Sequence, residues 1–500
     1  MHYYRPYGDF MPNLRFIGGI AWMAVTIAGC GVANPPSAQA PMPSEPTLIN
    51  YVDPSAVQGL NTRTLFSGET GNLHVHAVYP AVADAPRLTE KLHGTVSEEL
   101  DRFTRSGSPA DTLPKPEFNV DWQLAAASPE VLGVRLRIGH SMESGWSEAR
   151  TTVWYDRTKG RVLDSADLLA GRPALVTLAG IVRSELALRG PLVTPNALRP
   201  DREMFDSLGF NPRGDLVVEF DDKQVGLEVA GRVAVAVPSA TAAPLLSEVG
   251  LRAQRAAVQA KKVPVPMSRE EIKAASTDKP PARSSKAGSV DCARLRCVAL
   301  TYDDGPGPET SRLLDILRAH GARATFFSIG SNASARPDLL RRMRDEGHLV
   351  ANHGWSHRDL TMLPSIKISD QLIRTQHTIA QTIGQAPTLM RPPYGDGGIQ
   401  VAAIAGRLNM ALVRWNVDSE DRQDADPRAI ADRTVARAEP GAIVLLHDSH
   451  SATVDAAPEI LRRLSAAGYI FVTVPELYGL GEMVPGRIYE SGGVSTALDR

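Results

Sequence analysis

Apolar runs of β character recur through the second half of the chain, at residues 297–302, 324–329, 349–351, 388–390, 411–415, 442–446 and 469–473. Helical spacing fills the gaps, over residues 310–320, 337–346, 369–383, 427–438 and 458–467. Gly321, Gly347, Gly384 and Gly468 stand just past four of these helices, where a left-handed C-cap is needed. Pro337, Pro427 and Pro458 occupy first turns, with Asp426 as an N-cap. Strand, helix and strand joined by short loops predict parallel βα units. Near-continuous apolar strands predict a sheet buried on both faces. Seven such units suit a barrel better than an open sheet, and the pattern admits both. In either architecture, ligand chemistry belongs at the C-terminal ends of the strands.

The first half reads differently. Residues 131–138 alternate with period 2 and turn Arg135 and Arg137 to one side. Residues 151–155 are β-rich, residues 156–160 a turn, and residues 216–220 and 231–237 further strands. Residues 175–188 place Leu175, Leu178, Val182 and Leu186 on one helical face. The class is α+β. His74 and His76 share a strand face, and with no third ligand in view they read as surface histidines.

Arg5 and Arg15 precede an apolar run of 14 residues, 16–29. A bilayer span needs ~20, so the run fits the core of a secretory signal. It ends in Ile27-Ala28-Gly29-Cys30, which resembles the bacterial lipobox. That resemblance implies lipidation of Cys30 and a chain exported to the outer face of the membrane or cell wall. The expected organisation is a signal over residues 1–30, a Pro-rich tether over 31–46, an α+β accessory domain over 47–248, and a linker over 249–290. A second domain over 291–482 and a tail over 483–500 complete it.

The charge balance is 54 basic against 56 acidic residues, a net charge of −2, which argues against a nucleic-acid binder. Membrane association rests on the lipid alone, and the oligomeric state is not legible. Three cysteines in an exported chain leave Cys292 and Cys297 as a pair closing a small loop, once Cys30 is lipidated.

Polar residues gather at five predicted strand ends: Asp303-Asp304-Gly305-Pro306, His353 and His357, Arg391-Pro392-Pro393-Tyr394, Asp418 and Asp421, and His447-Asp448. His353 and His357, spaced i, i+4, share a face if their segment is helical. With Asp304 they make a two-histidine, one-carboxylate metal site, for which zinc is the commonest occupant. Asp303 points differently on an extended segment and is placed to act as general base toward metal-activated water. His447 is the opposing general acid, oriented and kept cationic by a neighbouring carboxylate.

At these residues the second domain resembles the polysaccharide deacetylases with a NodB homology domain, carbohydrate esterase family 4. The shared motifs are Thr301-Tyr302-Asp303-Asp304-Gly305-Pro306, the His353–His357 pair, Arg391-Pro392-Pro393-Tyr394 and Leu445-Leu446-His447-Asp448, in the family's order. The resemblance implies a distorted (β/α) barrel and metal-dependent removal of acetyl groups from a sugar polymer, with zinc or another divalent ion such as cobalt. It makes Asp303 the base, Asp304, His353 and His357 the metal ligands, and His447 the acid. Arg391 positions the base, and the Tyr394 backbone N–H stabilises the oxyanion. Leu446 and Trp415 line the acetyl and sugar pocket, and Asp421 tethers His447. Where the family carries Asp-x-x-Asp-Trp, this chain reads Asp418-Ser419-Glu420-Asp421-Arg422, so Arg422 replaces an aromatic of the pocket. In the first half, Phe118-Asn119-Val120-Asp121-Trp122 through Thr152-Val153-Trp154-Tyr155-Asp156, then residues 160–169, resemble the secreted domain of lysozyme-sensing anti-sigma factors.

The expected function is removal of N-acetyl groups from cell-wall glycan, peptidoglycan foremost. An O-acetyl esterase of another glycan and a non-catalytic wall-binding or envelope-sensing lipoprotein are the alternatives. The sequence names neither the sugar nor the metal.

Overall fold

Long alternating strands dominate the first half of the chain. The computed structural model describes residue 49 and residues 51–492, apart from 71–72, 106–115, 143–144, 228–232, 261–289, 396 and 479–482. The expected signal, Cys30, the tether and most of the linker lie outside the described residues.

Strands β1 (Leu60–Thr70) and β2 (Leu73–Val82), helix α1 (Pro86–Arg105), then β3 (Glu117–Ala127), β4 (Val131–Met142), β5 (Gly145–Asp156) and β6 (Arg161–Asp164) build a six-stranded sheet in sequential order. All neighbours are antiparallel except β2 and β3, which are parallel because α1 carries the chain across between them. One face is apolar: Val75, Ala77, Phe118, Val120, Trp122 and Leu136 pack on Leu88, Leu92 and Val96 of α1. The register puts His74 opposite Glu117, His76 opposite Asn119, and Asp121 opposite Arg137 on the other face. On that face His74, His76, Glu117, Asn119, Asp121, Arg135 and Arg137 are polar yet buried. Arg135 and Arg137 do lie on one side, each in a buried ion pair, with Glu219 and Asp121 respectively.

Helix α2 (Arg172–Ala187) and the antiparallel strands β7 (Leu208–Phe210), β8 (Leu216–Glu219) and β9 (Ala234–Val237) pack beside this sheet. Helix α3 (Glu248–Gln259) follows. It corrects the expected linker boundary at residue 249. Ser247 caps α3 by accepting from the Gly250 N–H, and Val249, Ala253, Ala256 and Ala257 join the core that holds Leu178 and Val182.

The second half alternates as predicted: β10 (Cys297–Asp303), α4 (Thr310–Ala319), β11 (Thr325–Ser328), α5 (Gly330–Ala335), α6 (Pro337–Asp345), β12 (Leu349–Asn352), α7 (Ser365–Ile383), β13 (Leu389–Met390), α8 (Gly398–Arg407) and β14 (Ala411–Val413). After these come β15 (Val417–Asp418), α9 (Pro427–Arg437), β16 (Ala442–His447), α10 (Ser451–Ala466), β17 (Ile470–Phe471) and β18 (Ile488–Tyr489). The strands form one all-parallel sheet in the order β15-β16-β10-β11-β12-β13-β14-β18, with β17 on the start of β10.

This sheet curls as a half-barrel, its apolar inner side gathering Ala299, Phe327, Ala351, Leu389, Val413 and Ile443. The outer side, with Leu300, Tyr302, Phe326, Val444 and Leu446, is covered by α4, α6, α9 and α10. Strands β15 and β18 lie at the two ends of the order, so the expected barrel is an open one among the described residues.

Two further expected boundaries change. Residues 488–489 belong to the sheet rather than to a tail, with Tyr489 buried against β14. Helix α10 begins at Ser451, so Pro458 sits inside it and not in its first turn. Helices α5 and α8 were not anticipated. The Cys292–Cys297 disulfide is present, with Cα atoms 5.5 Å apart, and closes the loop before β10.

Candidate active site

The site assembles at the C-terminal ends of β10, β12, β13 and β16, with the loop after β15. Asp303 is the last residue of β10. At Asp304 the backbone turns left-handed, with φ +75°. Neighbouring side chains on a strand point to opposite faces, and this turn lets both carboxylates reach one site. Asn332 of α5 holds the turn by donating its side-chain amide to the Asp304 carbonyl at 2.8 Å.

His353 and His357 lie on a loop after β12, not on a helix, which corrects the i, i+4 argument. The loop itself brings them together, through left-handed residues at Gly354 (φ +74°) and His357 (φ +54°). His353 Nδ1 donates to the Arg391 carbonyl at 2.7 Å, which leaves Nε2 to face the site. His353 Nε2 lies 3.6 Å and His357 Nε2 3.3 Å from Asp304 Oδ1. Ligand atoms of Asp304, His353 and His357 all fall within 4.8 Å of one another. Asp304 Oδ1 is buried and, among the described residues, meets no hydrogen-bond donor in good geometry, which suits a metal-ligand atom. Two imidazole nitrogens and one such oxygen fit a zinc-type ion. Burial pushes the Asp304 carboxyl up, but His357, His353, His447 and Arg422 outweigh it and hold the group well below the usual carboxylate range.

Arg391 is fully buried and fixes Asp303. Its Nη1 donates to Asp303 Oδ1 at 2.7 Å and to Thr301 Oγ1 at 2.8 Å. Its other nitrogens donate to the carbonyls of Val413 and Arg414, and its plane lies 4.2 Å from the Phe327 ring centroid. Trp415 lies 5.4 Å from the same guanidinium and closes against Gly395, where a Cβ would meet the indole at 2.7 Å. Tyr394 sits in the turn after β13 with φ +63°, its side chain partly exposed.

On the opposite side His447 ends β16. Its Nδ1 lies 2.7 Å from Asp421 Oδ1, and Asp421 Oδ2 accepts from the His447 N–H at 2.8 Å and from Thr453 Oγ1 at 2.7 Å. Burial alone would push the His447 imidazole down, but the Asp421 hydrogen bond and the nearby carboxylates carry it above its ordinary value. Arg422 Nη2 approaches Asp304 Oδ2 at 3.3 Å, with 42% of its side chain exposed.

Leu446 departs from expectation. The β10–β16 register pairs Asp303 with His447, Tyr302 with Leu446 and Thr301 with Leu445. Leu446 therefore faces the helix-covered side and packs in that core. Leu445 is the leucine on the same strand face as His447.

His74 and His76 are buried, not surface residues. His74 Nδ1 is 2.8 Å from the Tyr394 hydroxyl, and His76 Nε2 is 3.2 Å from Ser331 Oγ. Three further residues have a place at the site for which the sequence assigns no role. Thr301 bonds Arg391. Trp355 lies between the two histidines. Asp448 is a buried carboxyl that burial pushes up to about 7. Thr301 and Asp448 carry a signal in the sequence, their places in the first and last motifs; Trp355 carries none beyond its place between the histidines.

The family model for polysaccharide deacetylases matches residues 291–413. A chitooligosaccharide deacetylase of Bradyrhizobium sp. (strain ANU 289) is 36% identical over 204 residues, 38% of this chain and 93% of that protein. The chain belongs to the polysaccharide deacetylase family. The peptidoglycan-N-acetylglucosamine deacetylase PgdA of Listeria monocytogenes is 40% identical over 183 residues, 36% of this chain. The chain spans only 39% of that relative's length. The peptidoglycan-N-acetylmuramic acid deacetylase PdaC of Bacillus subtilis is 29% identical over 445 residues, 86% of this chain and 91% of that protein. A solved structure of PdaC is 39% identical with a TM-score of 0.36, covering 37% of this chain and 91% of that one.

Proposed function

We propose that the chain is a metal-dependent hydrolase that removes N-acetyl groups from the amino sugars of peptidoglycan. One observation carries this reading. The Asp304, His353 and His357 cluster is flanked by a carboxylate held by arginine, Asp303–Arg391, and by a histidine held by a carboxylate, His447–Asp421. Zinc or a related divalent ion at that cluster would supply a water of lowered pKa and polarise the acetyl carbonyl.

The chain's own residues do the rest. Asp303, its carboxylate fixed by Arg391, takes the proton from the attacking water as the new C–O bond forms. The Tyr394 N–H donates to the developing oxyanion. His447, kept cationic by Asp421, gives its proton to the sugar nitrogen as the C–N bond breaks. Acetate and a free amine leave. Trp415 and Leu445 bound the space beside Arg391 and His447.

Arg422 stands where the family carries an aromatic, and its half-exposed guanidinium suits a carboxylate on or beside the sugar. The lactyl group and the stem peptide of peptidoglycan both supply one, and the PdaC relative is named for N-acetylmuramic acid. We place the chain outside the cell, lipid-anchored through Cys30, on the strength of its lipobox-like sequence.

Acetate release from peptidoglycan by the purified chain, before and after chelation, tests the reading. It predicts loss on chelation and recovery when zinc or cobalt is restored. Release that survives both chelation and Asp303→Asn would sink it.

A further inference from the structure

The six-stranded sheet turns a polar face inward, and that face is set against the loops of the site. His74 on β2 meets the Tyr394 hydroxyl at 2.8 Å. Its ring lies 6.3 Å from that of the metal-ligand candidate His357, and the Tyr394 ring lies 4.9 Å from His357 on another side. Asp121 on β3 accepts from Trp355 Nε1 at 2.9 Å, and Trp355 lies between His353 and His357 in sequence. Glu117, directly opposite His74 in the β2–β3 register, pairs with Arg358, the residue after His357. His76 engages Ser331, next in sequence to the Asn332 that holds the Asp304 turn. Every one of these sheet residues is buried.

A charged sheet face is costly to bury unless it is paired, and here part of the pairing comes from within the first half and part from the loops that carry the ligands and the Tyr394 turn. The loops also need such support. Asp304, His357 and Tyr394 all adopt left-handed backbone, which is costly for residues with a side chain and persists only where surroundings over-determine it.

We infer that the N-terminal sheet is a positioning element of the catalytic centre, with His74 setting Tyr394, and Asp121 and Glu117 setting the two-histidine loop. This rests on the proposed deacetylase reading and deepens it: the accessory half completes the site rather than only tethering it to the wall. His74 is a positioning residue. It acts on the reaction through Tyr394 and touches no reacting atom.

The test uses the full chain with peptidoglycan fragments as substrate. His74→Ala should lower kcat about tenfold while KM stays within twofold, because the oxyanion donor is misplaced only in the transition state. His74→Asn, whose side-chain oxygen lies near the place of Nδ1, should recover most of the loss. In a Tyr394→Phe background, His74→Ala should have no further effect. Zinc affinity, read by competition with a chromophoric chelator, should fall about 10–100-fold in Trp355→Phe, as for other residues that orient metal ligands.

Unchanged kcat in His74→Ala, or equal losses in His74→Ala and His74→Asn, would overturn the role of His74 while leaving the deacetylase reading intact. Full zinc affinity in Trp355→Phe would overturn the loop-setting role. If the unaltered chain releases no acetate, the deacetylase reading fails on its own, and the zinc titration still decides the positioning claim.

Discussion

Asp303 and Asp304 are adjacent, yet their surroundings give them different work. Asp303 is held by a buried arginine, whereas Asp304 faces two imidazole nitrogens with one oxygen that, among the described residues, meets no hydrogen-bond donor in good geometry. Asp303→Asn should therefore lower kcat by about 10²–10⁴-fold, the usual contribution of a general base, with zinc still bound by the three ligands. His447 differs, because its acid form matters. Asp421 holds its pKa above the ordinary value, so the imidazole stays protonated, and able to give its proton, to higher pH. Asp421→Asn removes that support and lowers the pKa. The alkaline limb of kcat/KM should then move to lower pH; a limb that stays in place contradicts the assignment. Arg422→Trp restores the family's aromatic. It should weaken the preference for peptidoglycan fragments over chitin fragments, read as the ratio of their kcat/KM values. An unchanged ratio would remove Arg422 as a determinant of specificity.

At the scale of elements, strand register decides which side chains face the site. The sequence pattern located all seven apolar strands, because buried parallel strands are continuous apolar runs. It could not locate β15, β18 or β13's true extent so well, since two-residue strands have no period to read. It leaves the faces ambiguous where both are apolar, so it offers no check on the pocket role that the family resemblance implies for Leu446. Leu446→Ala should cost about 2–5 kcal/mol of stability by leaving a cavity in the helix-covered core. Its kcat/KM per folded molecule should stay near that of the unaltered chain. Leu445→Ala should instead change kcat/KM; thermal melts and kinetics on both variants separate the two. The His353–His357 pair was recognised on an argument from helix spacing, but a loop with two left-handed residues brings the pair together. The residues of the ordered motifs meet in one place even where the argument from local geometry does not hold.

Across the whole molecule, the candidate chemistry was legible because its residues sit at fixed places at strand ends. The role of the first half was not. The contact of His74 with Tyr394 joins residues 320 positions apart, and no local pattern encodes such a meeting. His74 and His76 read as surface histidines in the sequence because alternation marks a strand's two faces without saying what covers each. The proposed activity is chemical: removal of acetyl groups from peptidoglycan amino sugars, with Asp303 as base beside a candidate His, His, Asp metal site. The most direct measurement is mass spectrometry of peptidoglycan fragments treated with zinc-loaded chain lacking residues 1–30, beside its Asp303→Asn variant. The account predicts loss of acetyl from the sugars with the unaltered chain and nearly none with the variant. Fully acetylated fragments after treatment with the unaltered chain, or equal loss with both, would contradict it.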